Sequence, residues 1–146
     1  MLWKKLLKRD VNRYMKMNGR FLLDTNIVVA MFGGDNSIAE HLIYPNRILI
    51  PSIVIGELYF GAYKSGRVMK NLSQVEEFIA NNSVLYCDVK TAKEYGLIKN
   101  ELRKKGSIIP DNDIWIAAIA KQYDLILATR DNHFINLDDL IELEIW

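Results

Sequence analysis

Phe21-Leu22-Leu23-Asp24-Thr25-Asn26 sets an acid straight after a short apolar run. Three consecutive large apolar residues read as a strand buried on both faces, the pattern of a parallel sheet. A carboxylate at the carboxyl end of such a strand does nothing for packing. In open α/β sheets that edge is where ligands and reacting groups gather. The same form recurs down the chain. Ile48-Leu49-Ile50 runs into Pro51-Ser52, Val84-Leu85-Tyr86-Cys87 follows, and Leu125-Ile126-Leu127-Ala128 leads into Thr129-Arg130-Asp131. Leu143 to Ile145 reads as a fifth short run.

Helical patterns separate these runs. They are expected over Ile27 to Phe32, Ser37 to Tyr44, Ile53 to Tyr63, Val68 to Ala80, Thr91 to Lys105 and Asn112 to Tyr123. Ser52 and Thr91 suit the caps of two of them. Asn81-Asn82 and Gly106 suit their ends. Short strands alternating with helices predict an α/β fold with a parallel sheet covered on both faces.

The chain has 146 residues, half of them hydrophobic and a quarter charged, which fits one globular domain. No apolar run reaches the roughly 18 residues that span a bilayer. The N-terminus lacks the long apolar stretch and cleavage site of a signal peptide, so a cytoplasmic protein with no membrane partner is expected. One cysteine, Cys87, excludes an internal disulfide and a cysteine-rich zinc site. It is expected to be buried at a strand end.

The net charge of +1 hides an asymmetry. Residues 1–20 carry Lys4, Lys5, Lys8, Arg9, Arg13, Lys16 and Arg20 against Asp10 alone. Residues 21–146 keep twelve basic and seventeen acidic residues, a net of −5. The chain therefore divides into a basic extension over 1–19 and a patterned domain over 20–146. The extension reads as a leader of no essential role, or as an arm for phosphate backbones. Met15 and Met17 offer alternative starts beside the patterned region.

Four acids break structural patterns. Asp24 fits a helix N-cap and a reacting group equally well, and Thr25 or Asn26 can take the cap in its place. Glu57 has Ile53, Val54, Phe60 and Gly61 as helical neighbours, an apolar or small face on which an unpaired carboxylate is costly. Asp113 precedes Ile114-Trp115-Ile116-Ala117-Ala118-Ile119-Ala120, a helix apolar on nearly every side. Asp111, two residues earlier, suits that helix's N-cap. Asp131 stands beyond the carboxyl end of a strand, as Asp24 does. Thr129 can orient a neighbouring carboxylate, whereas His133 reads as an incidental loop residue or a phosphate contact.

Converging carboxylates repel and raise one another's pKa unless a cation relieves them. With no Cys and no His at ligand spacing, an all-oxygen site points to Mg2+, with Mn2+ as a substitute.

The ordered set Leu23-Asp24-Thr25-Asn26, Gly56-Glu57-Leu58, Pro110-Asp111-Asn112-Asp113-Ile114-Trp115-Ile116-Ala117-Ala118 and Thr129-Arg130-Asp131-Asn132-His133-Phe134 resembles the PIN-domain ribonucleases. Within them it looks most like the VapC toxins of toxin–antitoxin pairs. The resemblance spans Arg20 to Trp146. It implies a three-layer α/β/α sandwich around a mainly parallel sheet. It implies Mg2+-dependent endonucleolytic cleavage of RNA, a homodimer, and an antitoxin whose C-terminal segment blocks the acidic groove. Carried over, it makes Asp24, Glu57, Asp113 and Asp131 the catalytic and metal-binding acids, with Asp24 and Asp113 the principal ligands. Thr25, Asn26 and Thr129 match its supporting polar positions, and Asp111 joins them as an adjunct. Arg130 or Lys64 would offset the repulsion between an acidic groove and RNA.

Two other readings fit parts of the pattern. One is a non-catalytic RNA- or protein-binding module of the same fold. The other is a phosphotransferase or phosphatase with Asp24 as an aspartyl nucleophile. Asn26, where such enzymes often carry a second Asp, speaks against the latter.

Overall fold

The structure, a computed structural model, describes residues 19–42 and 47–146. The basic extension through residue 18 lies outside them, as do the last residues of the helix expected over Ser37 to Tyr44. Among the described residues there are five strands: β1 (Arg20–Leu23), β2 (Arg47–Pro51), β3 (Ser83–Leu85), β4 (Ile126–Thr129) and β5 (Glu142–Ile145). Their order is β3-β2-β1-β4-β5, and all four pairings are parallel. The helices are α1 (Thr25–Phe32), α2 (Asn36–Leu42), α3 (Ser52–Tyr63), α4 (Val68–Ala80), α5 (Val89–Lys105) and α6 (Asp111–Gln122). A 3-10 helix covers Asn132–Leu137.

The strand order reverses beside β1. From β1 the chain steps outward to β2 and β3, then returns to β4 on the other side of β1 and continues to β5. With right-handed crossovers, such a reversal sends the two groups of helices to opposite faces of the sheet. In open α/β sheets ligands gather at the carboxyl ends of the strands beside such a reversal, here β1 and β4. Leu23 pairs with Ala128 there, and the Asp24 N–H extends the ladder to the Ala128 carbonyl at 3.0 Å. Asp24 and the segment beginning at Thr129 therefore stand side by side at the same strand ends.

The core explains why these strands read so plainly. Phe21, Leu22, Leu23, Leu127 and Ala128 are buried. Helix α6 buries Ile114, Ile116, Ala117, Ala118, Ile119 and Ala120, so its small residues let it sit close against its neighbours. Fully burying each Ile or Leu side chain contributes about 1.5–3 kcal/mol. Trp146 packs its ring 4.9 Å from that of Phe21 and stacks on His41 at 4.5 Å.

Several local expectations need correction. Asp24 itself caps α1, which starts at Thr25: its carboxylate accepts the Thr25 N–H at 2.8 Å and its carbonyl accepts from Ile27. Pro51 and Pro110, with no side-chain cap, precede α3 and α6, so neither Ser52 nor Asp111 is an N-cap. Asp88 caps α5, and Thr91 reciprocates three residues on in a capping box. Strand β3 stops at Leu85, leaving Cys87 exposed rather than buried. Gly106 ends α5 as expected, at φ 68°, a left-handed conformation that glycine adopts without strain.

Candidate active site

Asp24 comes from the end of β1, Glu57 from the second turn of α3, Asp113 from the first turn of α6, and Asp131 from the turn after β4. A parallel sheet sends the carboxyl ends of its strands to one edge, and α3 follows β2 at that same edge. The four acids thus gather there. Each element is held by apolar burial, so the carboxylates do not have to organise themselves against their own repulsion.

Polar side chains fix the spacing. The Thr129 hydroxyl is buried, donates to Asp24 Oδ2 at 2.7 Å and accepts the Asp131 N–H at 2.9 Å. One hydroxyl thus ties the β1 acid to the β4 acid. The Thr25 hydroxyl donates to Glu57 Oε2, and Asn112 Nδ2 donates to Glu57 Oε1 at 3.0 Å. Asn26 Oδ1 accepts the Arg130 N–H at 3.2 Å, joining α1 to the turn after β4. Thr25, Asn26 and Thr129 thus each hold a hydrogen bond at this edge, to Glu57, the Arg130 backbone and Asp24 in turn.

Asp111 stands apart. It accepts from Lys99 at 3.0 Å and from Tyr95 at 2.9 Å on the outer side of α6. The Lys99 contact holds its carboxyl below the usual range. Arg130 is committed elsewhere too. Its guanidinium meets Asp35 and Ser37 at 2.9 Å each and the Trp146 carbonyl at 2.9 Å. It straps the α1–α2 turn and the residue after β5 to β4 and does not reach out to a ligand. Lys64 sits 5.1 Å above the Phe60 ring on the exposed end of α3.

The sequence reading passes over Asn112 and takes His133 for an incidental loop residue or a phosphate contact. Asn112 braces Glu57, and nothing in its polar Asp-Asn-Asp context distinguishes it. His133 Nδ1 lies 3.2 Å from Asp131 Oδ1 and 3.4 Å from Asp113 Oδ2. An all-oxygen site was expected, but one nitrogen stands within it. The ligand atoms of Asp113, Asp131 and His133 all lie within 4.8 Å of one another. Asp24 and Glu57 are not in that closest trio.

The electrostatics match crowded acids. Burial pushes Asp24 up from its ordinary value, against hydrogen bonds from Thr129 and Thr25, and the Glu57 and Asp131 charges add to the rise. Asp113 is pushed up to about 6, mainly by burial and then by the Asp24 charge, with His133 pulling the other way. A buried carboxyl prefers its proton, so this shift works against the folded state once that proton leaves. The unfolded carboxyl deprotonates near pH 4 and the folded one near pH 6. Metal-free protein should therefore lose roughly 2–3 kcal/mol from this group as pH rises from about 4 to above 6. Thermal unfolding at pH 5 and pH 7.5 measures it. Asp113→Asn should flatten the difference, and added Mg2+ should stabilise the wild type far more at pH 7.5 than at pH 5. Equal stability in metal-free protein at both pH values would contradict this account.

The PIN domain family model matches residues 21–140. This chain belongs to the PIN-domain family. Ribonuclease VapC2 of Haemophilus influenzae is 34% identical over 114 residues, covering 77% of this chain and 86% of that protein. The tRNA(fMet)-specific endonuclease VapC of Salmonella typhimurium is 33% identical over 132 residues, covering 87% and 98%. Among solved structures, VapBC2 of Rickettsia felis bound to a promoter DNA fragment matches with a TM-score of 0.77 at 31% identity, over 86% of this chain and 98% of that one. VapBC of Salmonella typhimurium bound to DNA gives 0.76 at 32%, over 87% and 98%. The parallel sheet flanked by helices is thus the PIN fold, and VapC ribonucleases are its near relatives. Among the described residues no helix is long and apolar enough to cross a membrane.

Proposed function

We propose that this PIN domain is a Mg2+-dependent endoribonuclease, with Mn2+ as a substitute ion, acting in the cytoplasm as the toxin of a toxin–antitoxin pair. The observation that carries it is the meeting of Asp24, Glu57, Asp113 and Asp131 at the reversal point of the sheet, in a chain whose relatives are VapC ribonucleases. The donor set suits a divalent cation. Burial and mutual repulsion raise two of the carboxyls, and a cation reverses that cost.

Asp24 and Asp113 would be the principal holders of the ion, with Asp131 and Glu57 completing the acidic set. When bound, a divalent cation neutralises charge on the phosphoryl oxygens and lowers the pKa of water for in-line attack. The chain's own residues supply position. Thr129 fixes the Asp24 carboxylate and the Asp131 backbone with one hydroxyl. Thr25 and Asn112 hold Glu57 so that its remaining lone pairs can orient a water and take its proton. An aspartyl-phosphate role is disfavoured, because both Asp24 oxygens are engaged and the residue is only 5% exposed.

The RNA substrate and the antitoxin partner come to this chain from its relatives. VapC proteins are named as ribonucleases, and the similar structures are VapBC complexes. A homodimer goes with the same reading. The residues given to 1–19 are proposed to be dispensable for the chemistry. The test is cleavage of RNA by purified protein stripped of metal with EDTA. Activity should be absent, return with Mg2+ or Mn2+, and fall again when antitoxin is added. Full cleavage in excess EDTA would reject the carboxylate–metal mechanism. Tight RNA binding without turnover in either ion would favour the binding-module reading.

A further inference from the structure

Among the described residues, His133 brings a nitrogen to the group of side chains at the acidic edge whose ligand atoms lie close enough to share one ion. Its placement is built into the backbone. The Asp131 carboxylate accepts the His133 N–H at 2.9 Å and so starts the 3-10 helix. That turn folds residue 133 back over the acid two positions before it. Phe134, fully buried, anchors the turn from below. Nδ1 consequently faces Asp131 and Asp113 together, at 3.2 and 3.4 Å. Ligand atoms within 4.8 Å of one another can meet on one small ion after modest side-chain rotation.

We propose that His133 is an inner ligand of the cation through Nδ1, and that it turns the site's preference from Mg2+ toward first-row transition ions such as Mn2+. The proposal rests on the carboxylate-site reading above and adds a nitrogen to it. Mg2+ is a hard ion that favours oxygen and keeps several waters. An imidazole adds little for Mg2+ but contributes to binding of a transition ion. A site of oxygens alone would separate the two ions weakly.

The test compares Mn2+ and Mg2+ affinities of full-length wild type and His133→Ala by titration calorimetry, with pulsed electron paramagnetic resonance on the Mn2+-loaded proteins. His133 is exposed, so the substitution leaves the core intact. Wild type should bind Mn2+ at least about tenfold more tightly than Mg2+. His133→Ala should lose roughly tenfold in Mn2+ affinity while Mg2+ changes about twofold or less. Nitrogen modulation of the Mn2+ signal should be present in wild type and absent in the variant. If both ions bind with an unchanged ratio in the variant and no nitrogen modulation appears in wild type, the inference is overturned and the carboxylate site stands. If neither ion binds wild type, and Asp113→Asn changes nothing, the carboxylate reading fails and this inference with it.

Discussion

Asp24→Asn lowers RNA cleavage by at least roughly a hundredfold, a loss that even an outer partner of a metal ligand can inflict. Asp24 is more central than that, since its charge reaches both Asp113 and Asp131. The substitution is close to isosteric. Asn keeps a carbonyl oxygen for the Thr25 N–H, and Asn is as good an N-cap as Asp. The Thr129 hydroxyl can turn its lone pairs toward the new amide. Removing a buried charge also relieves the strain on Asp113. Metal-free Asp24→Asn should therefore unfold at the same temperature as wild type or higher, while Mg2+ no longer stabilises it. Cleavage at the wild-type rate would reject the site. Lost cleavage with a markedly lower unfolding temperature would mean that Asp24 acts as a structural cap alone.

Phe134→Ala should give the largest loss of stability of any change near the site. The ring is fully buried where the 3-10 helix meets α5 and α6. Deleting it removes its transfer free energy and leaves a cavity, about 3–5 kcal/mol in total. For a domain of this size that lowers the midpoint by roughly 10 °C or more. The loss would not stop at stability, because the 3-10 helix aims both Asp131 and His133. Metal affinity should fall even at temperatures where the variant stays folded, whereas Phe134→Leu should keep most of both properties. Thermal unfolding by circular dichroism, with calorimetry of Mn2+ binding, separates the two effects. A loss below about 1 kcal/mol would show that the surrounding core collapses into the space.

The sheet and its acidic edge were legible for one reason. Strands buried on both faces must be apolar throughout, so Phe21–Leu23 and Leu125–Ala128 announce themselves, and Asp24 interrupts the pattern. Helix α6 was legible in the same way, since only a buried helix uses so many Ile and Ala residues. The caps were harder to place. Whether Asp88 or Thr91 starts α5 depends on the φ and ψ of a single residue, and both residue types cap well. Asp111 looked like a cap because its composition fits, but the backbone already turns at Pro110 and the side chain finds Lys99. Cys87 was misplaced because Tyr86 and Cys87 continue an apolar run that β3 does not follow. The position of His133 beside the acids was not legible, because a 3-10 turn of Asn, His and Phe has no periodic signal. Only the fold brings residue 133 back over residue 131.

The pairing of β1 with β4 has a metrological consequence. Neighbouring strands stand about 4.8 Å apart, a distance set by the backbone ladder and not by any side chain. Two oxygens on one small cation stand about 3–4 Å apart, so short side chains from adjacent strand ends span an ion with little adjustment. The gauge for the ion is thus cut into the sheet itself. Loops at the rim can change in length and composition while the interval between Asp24 and the β4 terminus stays fixed.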